Sequence, residues 1–401
     1  MKKKTKSIKL SKFVFIGIIA LVIIIGGFTA VHSFRKRIND RTVKVAFYGL
    51  SDDIVNLLKE YIPQKEKITI KYDVIAPGAM DLSILQKKYD VLFTWKGEVT
   101  DSLAGSVETI PNRLLDSIPS ALRNKYCLPL LLDHYEMDVY NPVVSKSEVK
   151  PFESYKSFMD YVYGANKLVF SPFFTNGGDD RVLFAFLAVL IEAQGGTDAY
   201  NKLIEALKSA QSLSDVLDVE LAVLPDDGGT LTLRSQLDIL KTWPELGLTH
   251  PQWYMGNIND LVGFASQFQV AAFFTSLSQH RTLNYNVVRN FETIRMPYLT
   301  DTISHGVIAP AISGVLVSDN VNGKDILASL ISIDVQNHIA MKTMLAPVNS
   351  RAEAYDVQSD DVRFFAASCA GGALPDPYLA VYQRRPDDFA EMAKEIRAYL
   401  R

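Results

Sequence analysis

Phe13 to Val31 (FVFIGIIALVIIIGGFTAV) is a run of nineteen residues with no charge and one polar side chain, Thr29. An α-helix crossing the hydrocarbon core needs about 20 apolar residues, because in lipid every backbone N–H and C=O must find its partner within the segment. Six lysines precede the run (Lys2, Lys3, Lys4, Lys6, Lys9, Lys12), and Arg35, Lys36, Arg37 and Arg41 follow it. The flank richer in Lys/Arg stays cytoplasmic, so the run predicts an uncleaved single-pass anchor with the main domain facing outward. A cleaved signal peptide ending near Val31-His32-Ser33 is the competing reading. The run exceeds the usual ~7–15 residues of a signal core, and an Arg-rich stretch follows directly. Either reading places the domain at the cell surface or in the periplasm.

The first 41 residues carry ten Lys/Arg and one Asp, a local charge of +9, within a chain of net charge −3, so the remainder stands at −12. A domain that acidic lacks the cations that bind phosphate backbones, and nucleic acid is excluded as a partner. Only Cys127 and Cys369 are present. Two cysteines make no disulfide scaffold; one bridge or two buried free thiols both fit. Neither cysteine follows the apolar run.

Beyond the basic linker, strand and helix patterns alternate. Thr42–Leu50 (TVKVAFYGL), Lys67–Ala76 (KITIKYDVIA) and Asp90–Trp95 (DVLFTW) read as strands. Between them Ile54, Leu57, Leu58 and Tyr61 recur at helical spacing, and Leu82–Tyr89 reads as a short helix. Strands separated by helices predict right-handed crossovers and a mostly parallel sheet covered on both faces. Val182–Ile191 (VLFAFLAVLI), preceded by Asp179, Asp180 and Arg181, is too short to span a bilayer and predicts a buried core helix. Pro386, Asp387 and Asp388 open a last helix with Phe389, Met392, Ala393, Ile396 and Leu400 on one face.

Local catalytic signatures do not appear. The six histidines never fall in HxH, HxxxH or HExxH spacing, and there is no GxSxG elbow or Gly-rich phosphate loop. The expectation is a non-enzyme without cofactor or metal.

Tyr126–Lys146 (YCLPLLLDHYEMDVYNPVVSK) resembles the crossover strand of extracellular solute-binding proteins of sugar-type ABC importers. Asp90–Trp95 with Lys96-Gly97-Glu98 is similar to the third strand and cleft loop of their maltodextrin-type members. Lys167–Gly196 resembles the second-lobe strand, cleft loop and long helix, and Leu345–Arg351 (LAPVNSR) resembles the return strand. The four stretches occur in the family's order and span nearly all of residues 42–401. The resemblance implies an α/β, two-lobed periplasmic-binding-protein-like (type II) fold with hinge strands, behind one N-terminal transmembrane helix. The implied organisation is a cytoplasmic tail 1–12, an anchor or signal segment 13–33 and a linker 34–41. Residues 42–128 and 299–343 then form lobe 1, and 129–298 and 344–401 form lobe 2. Crossovers are expected near Leu128–Asn141, Thr293–Leu299 and Ala346–Arg351.

In such a fold a small ligand binds between the lobes at the carboxyl ends of parallel strands. Sugar recognition needs aromatic faces for the C–H surface and amide or carboxylate groups for hydroxyls. The strand ends here offer Tyr48; Trp95 with Glu98; and Phe173 and Phe174 with Asn176. Asp133 and His134 in the crossover, with Trp253 and Ser276, complete the candidate ligand-binding set. The function implied is capture of a sugar or other polar solute by a monomer that delivers it to ABC permease subunits. A membrane-tethered sensor with the same fold is the alternative, ahead of an extracytoplasmic hydrolase.

Overall fold

The computed structural model describes residues 41–401, apart from 64, 65, 67, 226, 227 and 354–356 and the side chains of 357–361. The tail, the apolar run and nearly all of the linker lie outside the described residues. The chain forms β1 (Thr42–Tyr48), β2 (Thr69–Ile75), β3 (Val91–Trp95), β4 (Leu128–Leu132), β5 (Tyr135–Tyr140), β6 (Ser171–Thr175), β7 (Ala222–Val223) and β8 (Thr230–Leu231). Then come β9 (Val270–Ser276), β10 (Phe291–Ile294), β11 (Val307–Ile308), β12 (Ala311–Leu316), β13 (Ala346–Pro347) and β14 (Ala373–Leu374).

Two sheets define two lobes. The first has the order β13-β4-β12-β3-β1-β2 and the second β10-β5-β9-β6. In the first, β2, β1 and β3 run parallel, while β12 is antiparallel to β3 and β4. Period-two alternation sends Val43, Val45 and Phe47 into one core and Ala46 and Tyr48 into another on the opposite face. Helices Asp52–Tyr61, Val321–Leu330 and Ile333–Thr343 cover the former; Leu82–Lys88 and Glu98–Leu103 cover the latter.

In the second lobe β6 and β9 are parallel and β5 pairs antiparallel to β9 and β10. Its core gathers around the helix Asp180–Ser209, which breaks at Gly196 (φ +71°). This is the one helix among the described residues long and apolar enough to cross a membrane, and 83% of its most apolar window is buried inside the protein. It is a core helix, closed over by the terminal helix Pro386–Leu400 through Phe184 against Phe389 at 4.6 Å.

The chain passes between lobes at Asp133-His134, between β10 and β11, and after β14. The last passage corrects the expected crossover at Ala346–Arg351 and the assignment of 344–401 to lobe 2. β13 pairs with β4 in the first sheet, and the helix Val357–Ser368 buries Val362 and Ala366 in the first lobe's core. The chain returns only after β14 pairs with β11. Both cysteines are free thiols.

Candidate functional site

The lobes meet where β3 ends. Trp95 is half-buried against the first core, and the turn Lys96-Gly97 leads into the helix Glu98–Leu103. A Cβ on Gly97 would lie 2.3 Å from the carbonyl oxygen of Leu379, so only glycine allows the second lobe this close. Gln383, 2% exposed, reaches across this seam. Its Oε1 accepts from the Val99 amide at 3.0 Å, capping a helix start that would otherwise lack an acceptor. Its Nε2 donates to Thr94 Oγ1 at 3.1 Å and to the Trp95 carbonyl at 3.0 Å. Glu98 accepts from the Arg384 amide at 3.1 Å, with the Arg384 guanidinium 4.0 Å away.

From the second lobe, Arg181 occupies the first turn of the long helix, behind the N-cap Asp179. Its guanidinium lies over the Trp95 ring at 5.5 Å and the Tyr378 ring at 5.6 Å. Nη2 donates to Asp376 Oδ2 at 3.1 Å, and the Tyr135 hydroxyl donates to the same oxygen at 2.6 Å. Asp376 is 1% exposed and also accepts from the Leu379 amide. Burial pushes the Arg181 pKa down, but Asp376, Tyr135 and Asp133 more than offset it and hold the guanidinium charged. Burial, reinforced by Asp376, raises the Tyr135 phenol well above its usual range, so it stays a donor. Two aromatic faces, a cation and a carboxylate thus converge between the lobes, a set able to stack on a ring and bond its hydroxyls. The adjoining cavity, lined by Lys96, Pro310, Pro375 and neighbours, holds about 20 Å³. That admits about one water and no sugar.

Of the expected ligand-binding residues, this junction brings together Trp95 and Glu98, with Asp133 close behind. Asp133 is buried; its carboxylate accepts from the Ser278 hydroxyl (2.7 Å), the Ser278 amide and the His134 amide, which ties the first crossover to helix Leu277–His280. Burial raises its pKa. His134 is buried against Glu136 at 2.7 Å.

The others require correction. Tyr48 is fully buried; its hydroxyl accepts the Gly78 amide at 2.8 Å and lies within electrostatic reach of Glu98, Arg384 and Tyr378, at the edge of the junction rather than open to it. Phe173 stacks on Phe186 at 5.0 Å, and Phe174 packs on Phe264 at 4.9 Å. The two neighbours point to opposite faces of β6, and each face is covered by a helix. Asn176 is 1% exposed and bonds Gln279 and Thr275. Trp253 packs edge-on against Phe186, and Ser276 caps the helix after it through the Gln279 amide. Phe173, Phe174, Asn176, Trp253 and Ser276 build the second lobe, and Tyr48 packs in the first.

Sequence reasoning missed Arg181, Tyr135, Asp376, Tyr378 and Gln383. Arg181 carried a signal, a lone cation behind two aspartates at the mouth of an apolar helix. Gln383 carried none.

No family model matches the sequence, and no curated protein matches it. The structure is similar to that of the bacterial solute receptor AcbH, described as having an exclusive preference for β-D-galactopyranose, with a TM-score of 0.65 at 10% identity over 90% of this chain and 96% of that one. It is also similar to the binding protein MsmE of Bacillus subtilis in an open conformation (TM-score 0.63, 13% identity, 90% and 96% covered). RafE of Streptococcus pneumoniae, in its apo form, aligns with a TM-score of 0.59 at 14% identity over 90% and 97%. Near-complete coverage of both chains by proteins so different in sequence identifies this molecule as having the two-lobed α/β fold of bacterial solute receptors.

Proposed function

We propose that this protein is an extracytoplasmic solute-binding protein that captures a sugar or oligosaccharide between its lobes and delivers it, as a monomer, to the permease subunits of an ABC importer. The observation that carries the reading is the array of Trp95, Arg181 and Tyr378 at the lobe junction, backed by Asp376 and Glu98. In the closed lobes the guanidinium lies over both rings. When they part, the rings become platforms for the C–H face of a sugar, and Arg181, Glu98 and Tyr135 become partners for its hydroxyls. The resemblance of the crossover segment and the fold shared with sugar receptors support the ligand class. The apolar run 13–31 would tether the domain to the membrane.

A thermal-shift screen of the purified protein against mono- and oligosaccharides, polyamines and metal ions tests the reading. Linkage adds about 2.7 kcal/mol of stability at a hundredfold excess over Kd. A sugar that raises the melting temperature, with the gain lost in Trp95→Ala, supports it; polyamine binding alone, or no stabilising sugar, overturns the ligand class.

A second reading keeps the fold as a membrane-tethered sensor. It is favoured by Gln383, whose side chain bonds Thr94, Trp95 and Val99 across the lobe seam. Neighbouring genes for two permease subunits would decide for import.

A further inference from the structure

Period-two spacing points Glu136 and Asp138 of β5, with His134 just before it, to one face of the second sheet, away from the core face that carries Tyr135, Met137 and Val139. His280 reaches them from the last turn of the helix that follows β9. All four are 2% exposed or less. His134 Nε2 lies 2.7 Å from Glu136 Oε2; the other carboxylate oxygen, Oε1, contacts His280 Nδ1. Asp138 Oδ2 lies 3.6 Å from that same nitrogen and, among the described residues, makes no hydrogen bond. Its sister oxygen Oδ1 accepts from the Thr293 hydroxyl at 2.6 Å.

Among the described residues no Lys or Arg is bonded to these two buried carboxylates, and the groups placed to balance their charge are the His134 and His280 imidazoles. We infer that Glu136, Asp138 and His280 form a binding site for one divalent transition-metal ion of the zinc class. Glu136 Oε1, Asp138 Oδ2 and His280 Nδ1 lie within 4.8 Å of one another. Ligand atoms about 2.1 Å from a tetrahedral centre stand about 3.4 Å apart, close to the 3.6 Å Asp138–His280 separation. The dication would satisfy the carboxylate oxygen that hydrogen bonding leaves out. His134 on Glu136 Oε2 and Thr293 on Asp138 Oδ1 are the outer partners that orient metal-bound carboxylates. One imidazole and two carboxylates suit zinc, manganese or iron; calcium, which takes six to eight oxygens, is not suited. The site sits just past the first crossover, and Ser278 of the same short helix bonds Asp133 in that crossover. A metal here pins the crossover strand to the second lobe. It is distinct from the solute site, so its test stands whether or not a sugar binds.

The test is metal content and stability of the full chain in detergent. Protein freed of metal by a chelator is titrated with Zn²⁺, Mn²⁺ or Ca²⁺, dialysed and analysed by mass spectrometry. The expected result is one retained zinc per chain and a raised melting temperature, with at least tenfold weaker binding in Asp138→Asn. Should that variant fail to fold, Co²⁺ added to the wild-type chain reports on its own, since a low-symmetry carboxylate–imidazole site gives intense visible absorption. Zinc that neither remains bound nor changes stability, weak octahedral cobalt bands, or equal stabilisation by Ca²⁺ each overturns the inference.

Discussion

Arg181 of the second lobe lays its guanidinium over the indole of Trp95 in the first, 5.5 Å from the ring centre, and so spans the line along which the lobes would part. A half-buried ring with a charged partner has little stake in the core and much in whatever replaces that partner. Trp95→Ala should therefore weaken solute binding by about 1–3 kcal/mol with little loss of stability. A core tryptophan would instead cost about 3–5 kcal/mol of folding free energy. Calorimetric affinity and melting temperature, measured on the same preparation, separate the two; a large drop in melting temperature with unchanged affinity rules out the cleft role.

Arg181→Ala removes the cation from between the two rings and the bond to Asp376. A partly desolvated cation–π contact is worth about 1–2 kcal/mol, so the balance should move towards open lobes by roughly tenfold. Small-angle scattering without solute should give a larger radius of gyration for the variant than for the wild type. A saturating sugar should compact the opened variant, and an equal radius in all samples would mean that the lobes do not hinge.

His305 carries a pH dependence of definite sign. It is buried, and its two ring nitrogens face Glu192 Oε1 at 3.0 Å and the Thr300 carbonyl at 2.9 Å. Tyr298 stacks on it at 3.6 Å, with Arg295 beyond that ring. Burial pushes its pKa down, but Glu192 and the Thr300 carbonyl together outweigh burial and the net shift is upward. A raised folded-state pKa stabilises fully below the unfolded value of about 6.5, and the contribution fades as pH climbs through the folded value. His305→Gln should lower the melting temperature most at pH 5.5–6 and progressively less towards pH 8.5. A pH-independent difference would show that the pair contributes no charge.

The two thiols should differ in reactivity. Burial raises the Cys127 pKa to about 11, whereas Cys369 is partly exposed beside Arg295. At pH 8 a thiol-specific chromogenic reagent should titrate one group quickly in the native protein and both in denaturant. No free thiol in denaturant would mean a bridge.

Membrane fractionation tests the apolar run. The full chain should pellet with membranes and resist carbonate extraction, while a chain starting at Phe34 should be soluble. A naturally soluble product beginning near that residue would establish cleavage.

Much of the fold was legible because it rests on long-range repetition of local patterns. The alternation of Val43, Val45 and Phe47 and the apolar block Val182–Ile191 each announced its element. The third crossover was not legible, since β13 and β14 are two residues long and show no period. Their lobe is set by partners far away in sequence, β4 and β11. Phe173 and Phe174 were misread because a strand end does not say which faces are covered, and the helices covering both lie elsewhere in the chain. The position of Trp95 and Glu98 at the lobe seam was readable from the abrupt change of an apolar strand into a charged turn. Gln383 was not, because its partners Thr94 and Val99 lie almost 290 residues earlier.

The late return of the chain to the second lobe also sets a timetable. During synthesis Phe184 emerges some two hundred residues before Phe389, which packs against it. For that interval the face of Asp180–Ser209 that Phe389 covers lacks this partner. The nascent protein therefore passes through a stage in which its stickiest helix is made and its lid is not. The final packing of that helix therefore waits for the last turn of the chain.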